Sequence, residues 1–513
     1  MEAETEIFMN NNNTDDDRNY SSIREFYRDG VVFVTGGTGF LGKVLIEKLL
    51  FSCDDIKAIY VLLRSNRGLT SEQRFKEFVK NPVFDRVRAR DPLALDKMTC
   101  IAGDINEMSF GLDETSMTKV MENVTVVFHV AATVKFNESL RDAACLNTLG
   151  TQTMMDLCCK MKKLKSVVHV STAYSNPGLK YVGETVYATK GPLDKDTFIK
   201  CIKVLPKEII DSFADRLQGT HPNTYTLTKS MAEEVVAEYT NKIPVCIVRP
   251  SIVTGSIKEP FPGWVDNVYG ITGIMMEIGR GTISSIMCDQ KCIMDLIPVD
   301  IVSNTLITAA WANVCNYKKS SITVYNCTSG QINPVGWYDY GRITEKWARI
   351  NPTKYVMLYP GFSYRTNRLM HKIVEAFLHF LPAYIFDIIM RMQGLKPIMM
   401  KIAKRFQAAA NTGEFFAMHE WVFDNGNFRQ LMRTAKEAKD GEEFNCDMTN
   451  MDWDSYVESY MLGIRQFVLK DGLESMKKAR KKLNRLYWFK RVLQLGLAFL
   501  LYNFIFKPIF QRI

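Results

Sequence analysis

Nothing in the sequence offers a metal site or a disulfide framework. Its twelve cysteines follow no regular spacing and include no C-x-x-C element, and its six histidines form no H-E-x-x-H or Cys/His ligand pattern. No metal is therefore expected, and with no secretory leader the cysteines read as reduced cytosolic thiols. Where a leader's apolar core would stand there is an asparagine run (Asn10–Asn13) and three aspartates (Asp15–Asp17), so residues 1–21 read as a disordered tail. Acid is missing from Lys477–Arg491, which holds eight cations and no carboxylate. Since the formal net charge is +9, the rest of the chain is close to neutral. A neutral body with one basic stripe beside an apolar tail points to an anionic membrane surface and not to nucleic acid.

At 513 residues and 47 % hydrophobic content, the chain has core material for one large domain or two smaller ones. The stretch Val31–Gly42 organises it. Val31 to Thr35 reads as a fully buried strand, a glycine turn follows, and Val44 to Leu50 continues as an apolar helix. Glycines at Gly36, Gly39 and Gly42 make a G-x-x-G-x-x-G variant of the dinucleotide fingerprint: a tight turn, room for a pyrophosphate, and close packing of helix on strand. The helix start presents free N–H groups to phosphate.

Further strands follow at 59–64, 99–105, 124–132, 166–174, 244–253 and 323–327, with helical stretches between them, about 138–162 and 301–314 among these. Alternation of this kind predicts an α/β fold, a doubly wound parallel sheet with the ligand beyond the strands' carboxyl ends. The second strand ends in Arg64-Ser65-Asn66-Arg67, with no carboxylate for the ribose hydroxyls of NAD. Arg64 suits a 2′-phosphate, which favours NADPH. Asp104 is placed either to accept from an adenine amino group or simply to make a turn. Ala131 and Ala132 are small enough for a cofactor to lie against them, and His129 reads as a packed strand-end residue. The fifth strand ends in the hydroxyls Ser171 and Thr172. Downstream, Tyr225 and Lys229 lie four apart on one helical face, where an ammonium would favour the ionised phenol and improve the tyrosine as a proton donor.

Thr35–Lys43, His169–Tyr174, Asn223–Lys229, Arg249–Val253, Glu259–Trp264 and Asp295–Asp300 together resemble the alcohol-forming fatty acyl-CoA reductases. These are membrane-associated members of the extended short-chain dehydrogenase/reductase superfamily, and the similarity runs from about residue 22 to 470. The resemblance implies reduction of a long-chain fatty acyl-CoA to fatty alcohol and CoA with two NADPH, by two hydride transfers through a hemithioacetal and an aldehyde. It implies Tyr225 as general acid, Lys229 as the residue that orients the cofactor ribose and assists Tyr225, and a fifth-strand hydroxyl, Thr172 in preference to Ser171, that polarises the carbonyl. Fingerprint and resemblance together give a cofactor set of Thr35, Gly36, Gly37, Thr38, Gly39, Phe40, Leu41, Gly42, Arg64, Asp104, Ile105, Ala131, Ala132, Pro250, Ile252 and Val253, with Tyr225 and Lys229. The interval between Thr172 and Tyr225, with Tyr181, Tyr187, Phe198, Ile209, Ile210 and Phe213, reads equally as a wall of an acyl channel or as a structural excursion.

The expected organisation is a tail (1–21), an NADP-binding domain (22–350), a linker (351–365), a helical domain (366–476) and a basic stripe with a hydrophobic anchor (477–513). Within 373–392, Glu375, His379, Pro382 and Asp387 interrupt the apolar run, which reads as a buried or interfacial helical pair rather than a span. Met390, Met392, Met399, Met400, Phe406, Phe415 and Phe416 read as core. The 15 uncharged residues 492–506 would rise about 22 Å as a helix, short of the ~30 Å hydrocarbon core. Flanked by Tyr487, Trp488, Lys507 and Arg512, the segment either spans a thin bilayer or lies in its interface. The expected setting is a membrane of the endoplasmic reticulum or peroxisome with the catalytic domain in the cytosol. A sterol or other lipid dehydrogenase of the same superfamily, and a non-catalytic membrane protein that senses nucleotide or lipid, are the alternatives.

Overall fold

Seven short strands, rich in valine and isoleucine, pair in parallel through the centre of the molecule: β1 (Val31–Thr35), β2 (Ala58–Leu63), β3 (Met98–Ala102), β4 (Val126–His129), β5 (Ser166–Val170), β6 (Val245–Pro250) and β7 (Thr323–Cys327). The computed structural model describes residues 22–66, 68–316 and 321–503. The expected N-terminal tail, Arg67, and the end of the apolar tail with Lys507 and Arg512 lie outside them. The sheet order is β3-β2-β1-β4-β5-β6-β7. Val32 pairs with Ile59 of β2 on one side and Val126 of β4 on the other, so the connection reverses direction at β1 and opens a crevice beyond its carboxyl end. Every residue of β1, β4, β5 and β6 is buried, as strands covered by helices on both faces must be.

The crossovers are helical: α1 (Phe40–Ser52), α2 (Ser71–Val79), α3 (Gly150–Cys158), α4 (Thr224–Ala237) and α5 (Val299–Asn316). α2 starts in a full capping box between Thr70 and Gln73. The expected helix at 138–162 is shorter and interrupted, running Leu140–Ala144, a π turn at Cys145–Leu149, then α3. β3 and β5 end three to four residues before their expected ends. Gly103-Asp104 turns out of the sheet, and Ser171-Thr172 rises from β5 into a short turn at Ala173–Ser175, which frees both hydroxyls from the ladder.

The later part of the chain packs back on this sheet. Ser363–Arg365 pairs with Ser285–Met287, and Val422–Phe423 with Tyr181–Val182. One apolar core runs from Val32 and Leu45 to Phe428, Leu431 and Tyr460. The stretch expected as a linker is itself packed: Val356 is buried, and Met357 and Leu358 donate to the Arg280 carbonyl. Beyond it come α6 (Arg368–Glu375), a π turn at Ala376–Phe380, α7 (Leu381–Met392), α8 (Met399–Ala417) and, at the end, α9 (Met476–Leu501). Of the residues expected as core here, Met390, Met399, Met400, Phe415 and Phe416 are only half-buried and Met392 is 82 % exposed. The Phe406 side chain lies outside the described residues. α6 and α8 pack against the short strand Ser285–Met287, while much of the apolar surface of α6 and α7 stays exposed.

A buried arginine fastens the last helices. Arg465 pairs with Asp471 and donates to the carbonyls of Pro352, Asp471 and Gly472 and to Ser475 Oγ. Removing one partner of such a pair costs about 3–5 kcal/mol. Arg465→Met should therefore lower the urea midpoint by an amount equivalent to several kcal/mol, and an unchanged midpoint would show that this knot does not hold the terminal region.

Candidate active site

The glycine turn forms a shallow cradle. Gly36 has φ +70°, and a Cβ there would lie 2.7 Å from the Ala131 nitrogen, so the chain leaving β1 passes the backbone beyond β4 too closely for any side chain at position 36. At Gly42 a Cβ would come within 2.3 Å of the Gly36 carbonyl; α1 can approach the turn only because that position is bare. Gly39 heads α1 with no side-chain cap, which leaves the first N–H groups of the helix open to the crevice. These features fit the pyrophosphate of a dinucleotide.

All the expected site residues except Thr35 and Gly37 line one cavity of about 1070 Å³. The Thr35 hydroxyl is 2.9 Å from His129 Nδ1 and accepts from the Ala131 nitrogen. Gly37 faces inward, where a Cβ would meet Val61 and Ile46. His129 is packed as expected: Thr151 engages its other ring nitrogen at 3.0 Å, and burial lowers its pKa to about 3. Arg64 and Asp104 do come together, as an ion pair of 3.2 Å with the arginine half exposed. Sequence reasoning missed Arg74, one turn into α2, whose guanidinium donates to the Arg64 carbonyl and lines the same end of the cavity. Arg64 and Arg74 together make a positive rim.

At the cavity's centre, α4 begins with Asn223, whose side chain accepts from the Thr226 nitrogen at 2.9 Å. The Tyr225 hydroxyl faces Thr172, which opposes the rise of the phenol's pKa, and its ring stacks on Phe136 at 5.8 Å. Lys229 is buried and donates to the Val170 carbonyl at 2.6 Å. The expected electrostatics run the other way. Burial pushes the phenol up to about 12, although Thr172 pulls it down, and burial lowers the Lys229 ammonium to about 8, with Glu233 opposing. Desolvation outweighs any help from the ammonium, whose bond goes to a backbone carbonyl. The hydroxyls also separate. Ser171 donates to Glu233, which is in a buried ion pair with Arg249, while Thr172 faces Tyr225. Asn147, at the π turn, accepts from the Thr133 nitrogen and donates to Thr228, tying the loop that carries Phe136 to α4. A π turn has no signature in one sequence, which is why the stretch 138–162 reads there as one helix and Asn147 is not singled out.

From this centre the cavity continues into apolar space walled by Ile274, Ile283, Leu378, Phe386 and Ile402. The segment 181–213 contributes none of the cavity's lining; Phe198, Ile202 and Ile210 pack instead on Leu140, Leu227 and Met231 behind α4. That segment is a structural excursion. One wall of this space comes from the middle of the chain (Ile271–Met287) and the other from the π turn at Ala376–Phe380, α7 and α8, near its end. Among the described residues no group of three or more His, Cys, Asp or Glu is placed to hold a metal.

An NAD-binding family model described as Male sterility protein matches residues 34–306, and a second model of the same description matches 378–471. Fatty acyl-CoA reductase 1 of Xenopus laevis is 37 % identical over 476 residues, 92 % of either chain, and that of Homo sapiens matches equally. Fatty acyl-CoA reductase 2 of Bos taurus is 34 % identical over 91 % of this chain and 90 % of its own. Among solved structures, the reductase domain of a nonribosomal peptide synthetase from Mycobacterium tuberculosis superposes with a TM-score of 0.57 at 17 % identity, covering 86 % of this chain and 92 % of its own. The terminal R domain of the myxalamid pathway gives 0.54 at 19 %, covering 85 % and 90 %. These two likenesses concern the fold.

Gly42→Ala tests the cradle. Forcing a methyl against the Gly36 carbonyl costs about 1–3 kcal/mol, so nicotinamide dinucleotide should bind roughly 5- to 150-fold more weakly by calorimetry. Unchanged affinity would place the dinucleotide elsewhere.

Proposed function

The chain belongs to the fatty acyl-CoA reductases, an NAD(P)-binding oxidoreductase family with the extended short-chain dehydrogenase fold, and on that basis we propose that it reduces a long-chain fatty acyl-CoA to the primary alcohol. The balance is acyl-S-CoA + 2 NADPH + 2 H⁺ → R-CH₂OH + CoA-SH + 2 NADP⁺. The observation that carries this reading is the Tyr225–Thr172 hydroxyl pair, which stands where a glycine-turn cradle and an apolar channel share one cavity.

When bound in the cradle, the dinucleotide supplies a hydride for each reduction. Gly36, Gly39 and the head of α1 would hold its pyrophosphate, with Ala131, Ala132, Pro250, Ile252 and Val253 lining the same cavity. Lys229 orients its ribose. Tyr225 and Thr172 donate to the thioester oxygen, stabilise the charge that develops there, and Tyr225 passes it a proton. Breaking of the carbon–sulfur bond then releases CoA thiol and leaves an aldehyde, and the same two hydroxyls serve its reduction to the alcohol. A phenol held near 12 stays protonated at neutral pH and is ready to donate. Arg64 and Arg74, two guanidinium groups at the end of the cavity beyond β2, support NADPH, whose 2′-phosphate they could pair with. The enzyme works at a membrane with its catalytic part in the cytosol.

Tyr225→Phe should reduce turnover of palmitoyl-CoA by about 10²–10⁴-fold with dinucleotide affinity nearly unchanged, read by chromatography of the alcohol; near-normal turnover removes Tyr225 from the mechanism. Arg64→Ala and Arg74→Ala should each weaken NADPH by roughly 10- to 150-fold, the worth of a charge-assisted hydrogen bond, and leave NADH almost untouched. Equal loss for both cofactors would mean that neither arginine reads the phosphate.

A further inference from the structure

The apolar end of the cavity is walled in part by a helical hairpin, α6 to α8, whose other face has no partner among the described residues. Arg368–Met392 is long and apolar enough to cross a membrane, yet only 11 % of its most apolar window is buried. Phe377 is 63 % exposed, and Leu369, Tyr384, Ile385, Ile388 and Leu395 share that outer side with it. The inner side meets the substrate space through Leu378, Phe386 and Ile402.

Charge distinguishes what covers the outer face. The hairpin's acids are occupied: Glu375 is buried between His371 and Gln407, Asp387 accepts from the Met399 and Met400 nitrogens, and Glu414 pairs with Arg368. Lys372, Arg391, Lys396, Lys401 and Lys404 are exposed. An apolar face rimmed by cations matches the acyl and phosphate layers of an anionic leaflet. A second copy of the chain would bring the same cations against themselves across a two-fold axis. A full crossing conflicts with the ends of the hairpin. His371 bonds to Ser285, the Ser284 nitrogen donates to His379, and the Asp289 nitrogen donates to the Ala417 carbonyl, so the chain enters and leaves on the same side.

We propose that this hairpin seats in the surface of an anionic bilayer and that the acyl chain passes from the lipid directly into the cavity between α7 and α8. The docking half stands on the hairpin alone; the entry half rests on the acyl-CoA reading. The anchor is then not confined to the tail.

The full chain tests it with the photo-cross-linking residue p-benzoylphenylalanine in place of Phe377, Ile385 or, as a control outside the hairpin in the turn after β3, Met108, which is 92 % exposed. Vesicles of phosphatidylcholine with and without phosphatidylglycerol are the probe. Lipid adducts at Phe377 and Ile385, increased by the anionic lipid and absent at Met108, are expected. Adducts between two protein chains, or no lipid adducts at the hairpin, overturn the docking. In the double variant Phe377→Asp/Met392→Asp, turnover of vesicle-borne palmitoyl-CoA should fall roughly tenfold or more while a water-soluble short acyl-CoA is reduced at the parent rate. Equal loss on both substrates overturns entry from the lipid. If the parent chain forms the lipid adducts but reduces no acyl-CoA of any length, the docking surface stands and the proposed reaction falls.

Discussion

One buried ion pair sets the aim of α4, the helix that carries Tyr225 and Lys229. Arg249 of β6 and Glu233 of α4 are almost inaccessible to solvent and meet through two contacts, at 2.6 Å and 2.8 Å. Tyr225, Lys229 and Glu233 recur at every fourth position and so share one face of α4. Pinning Glu233 to the sheet fixes the rotation of the helix and therefore where the other two point. A pair of this kind adds little net stability against an apolar substitute, but leaving one member unpaired is costly, so the register of α4 is strongly enforced. Arg249 also donates to the carbonyls of Gly183 and Thr185, and Ser171 completes the cluster from β5. The same carboxylate supports the charge on Lys229 against burial, which keeps most of the ammonium protonated near neutrality.

The cavity joins two kinds of surface that come from different parts of the chain. Its first part is made of glycines, small residues and two arginines supplied by β1, β2, β4 and α2. Its second part is made of aliphatic and aromatic side chains supplied by Ile271–Met287, the π turn at Ala376–Phe380, α7 and α8. Phe136 is the seam between them: it stacks on Tyr225 and lies 5.4 Å from Phe416, which meets Tyr174 edge-on. The reacting carbonyl, placed at Tyr225, would have its polar neighbours on one side and its hydrocarbon on the other, which suits a substrate with a charged carrier at one end and an acyl chain at the other.

The sheet and the cofactor cradle were legible because each has a local signature. Buried strands of valine and isoleucine, a glycine at a position that needs positive φ, and a Tyr/Lys pair at helical spacing are all readable within a dozen residues. What was hidden depends on long-range pairing. Arg74 joins Arg64 only after α2 folds back over β2, and the excursion between Thr172 and Tyr225 packs behind α4 instead of beside the substrate. The two-faced helices carried the composition of core, and only their exposure, with Met392 bare and Phe416 on the cavity wall, showed otherwise. The pKa of Tyr225 was misjudged for a related reason. Spacing placed a cation near the phenol, but the three-dimensional fold gave that cation a carbonyl to bond and buried both groups.

The electrostatic plan of the chain ties the tail to the hairpin. α9 lies against the stretch from Ile350 to Tyr359: Arg480 and Lys482 donate to the carbonyls of Ile350 and Lys354, and Tyr487 packs 5.2 Å from Tyr359. A few residues later the same stretch forms the short strand Ser363–Arg365 and leads into α6. Two elements that are both apolar and basic thus leave the folded body from one continuous segment, whereas the remainder of the chain is nearly neutral. Polybasic and apolar signals reinforce one another at a lipid surface, and one alone gives weak and reversible attachment. A lone tail would tether the enzyme without orienting it; a hairpin docked as proposed would add orientation, because the outer side of the cavity wall would then face lipid while its inner side faces the cavity.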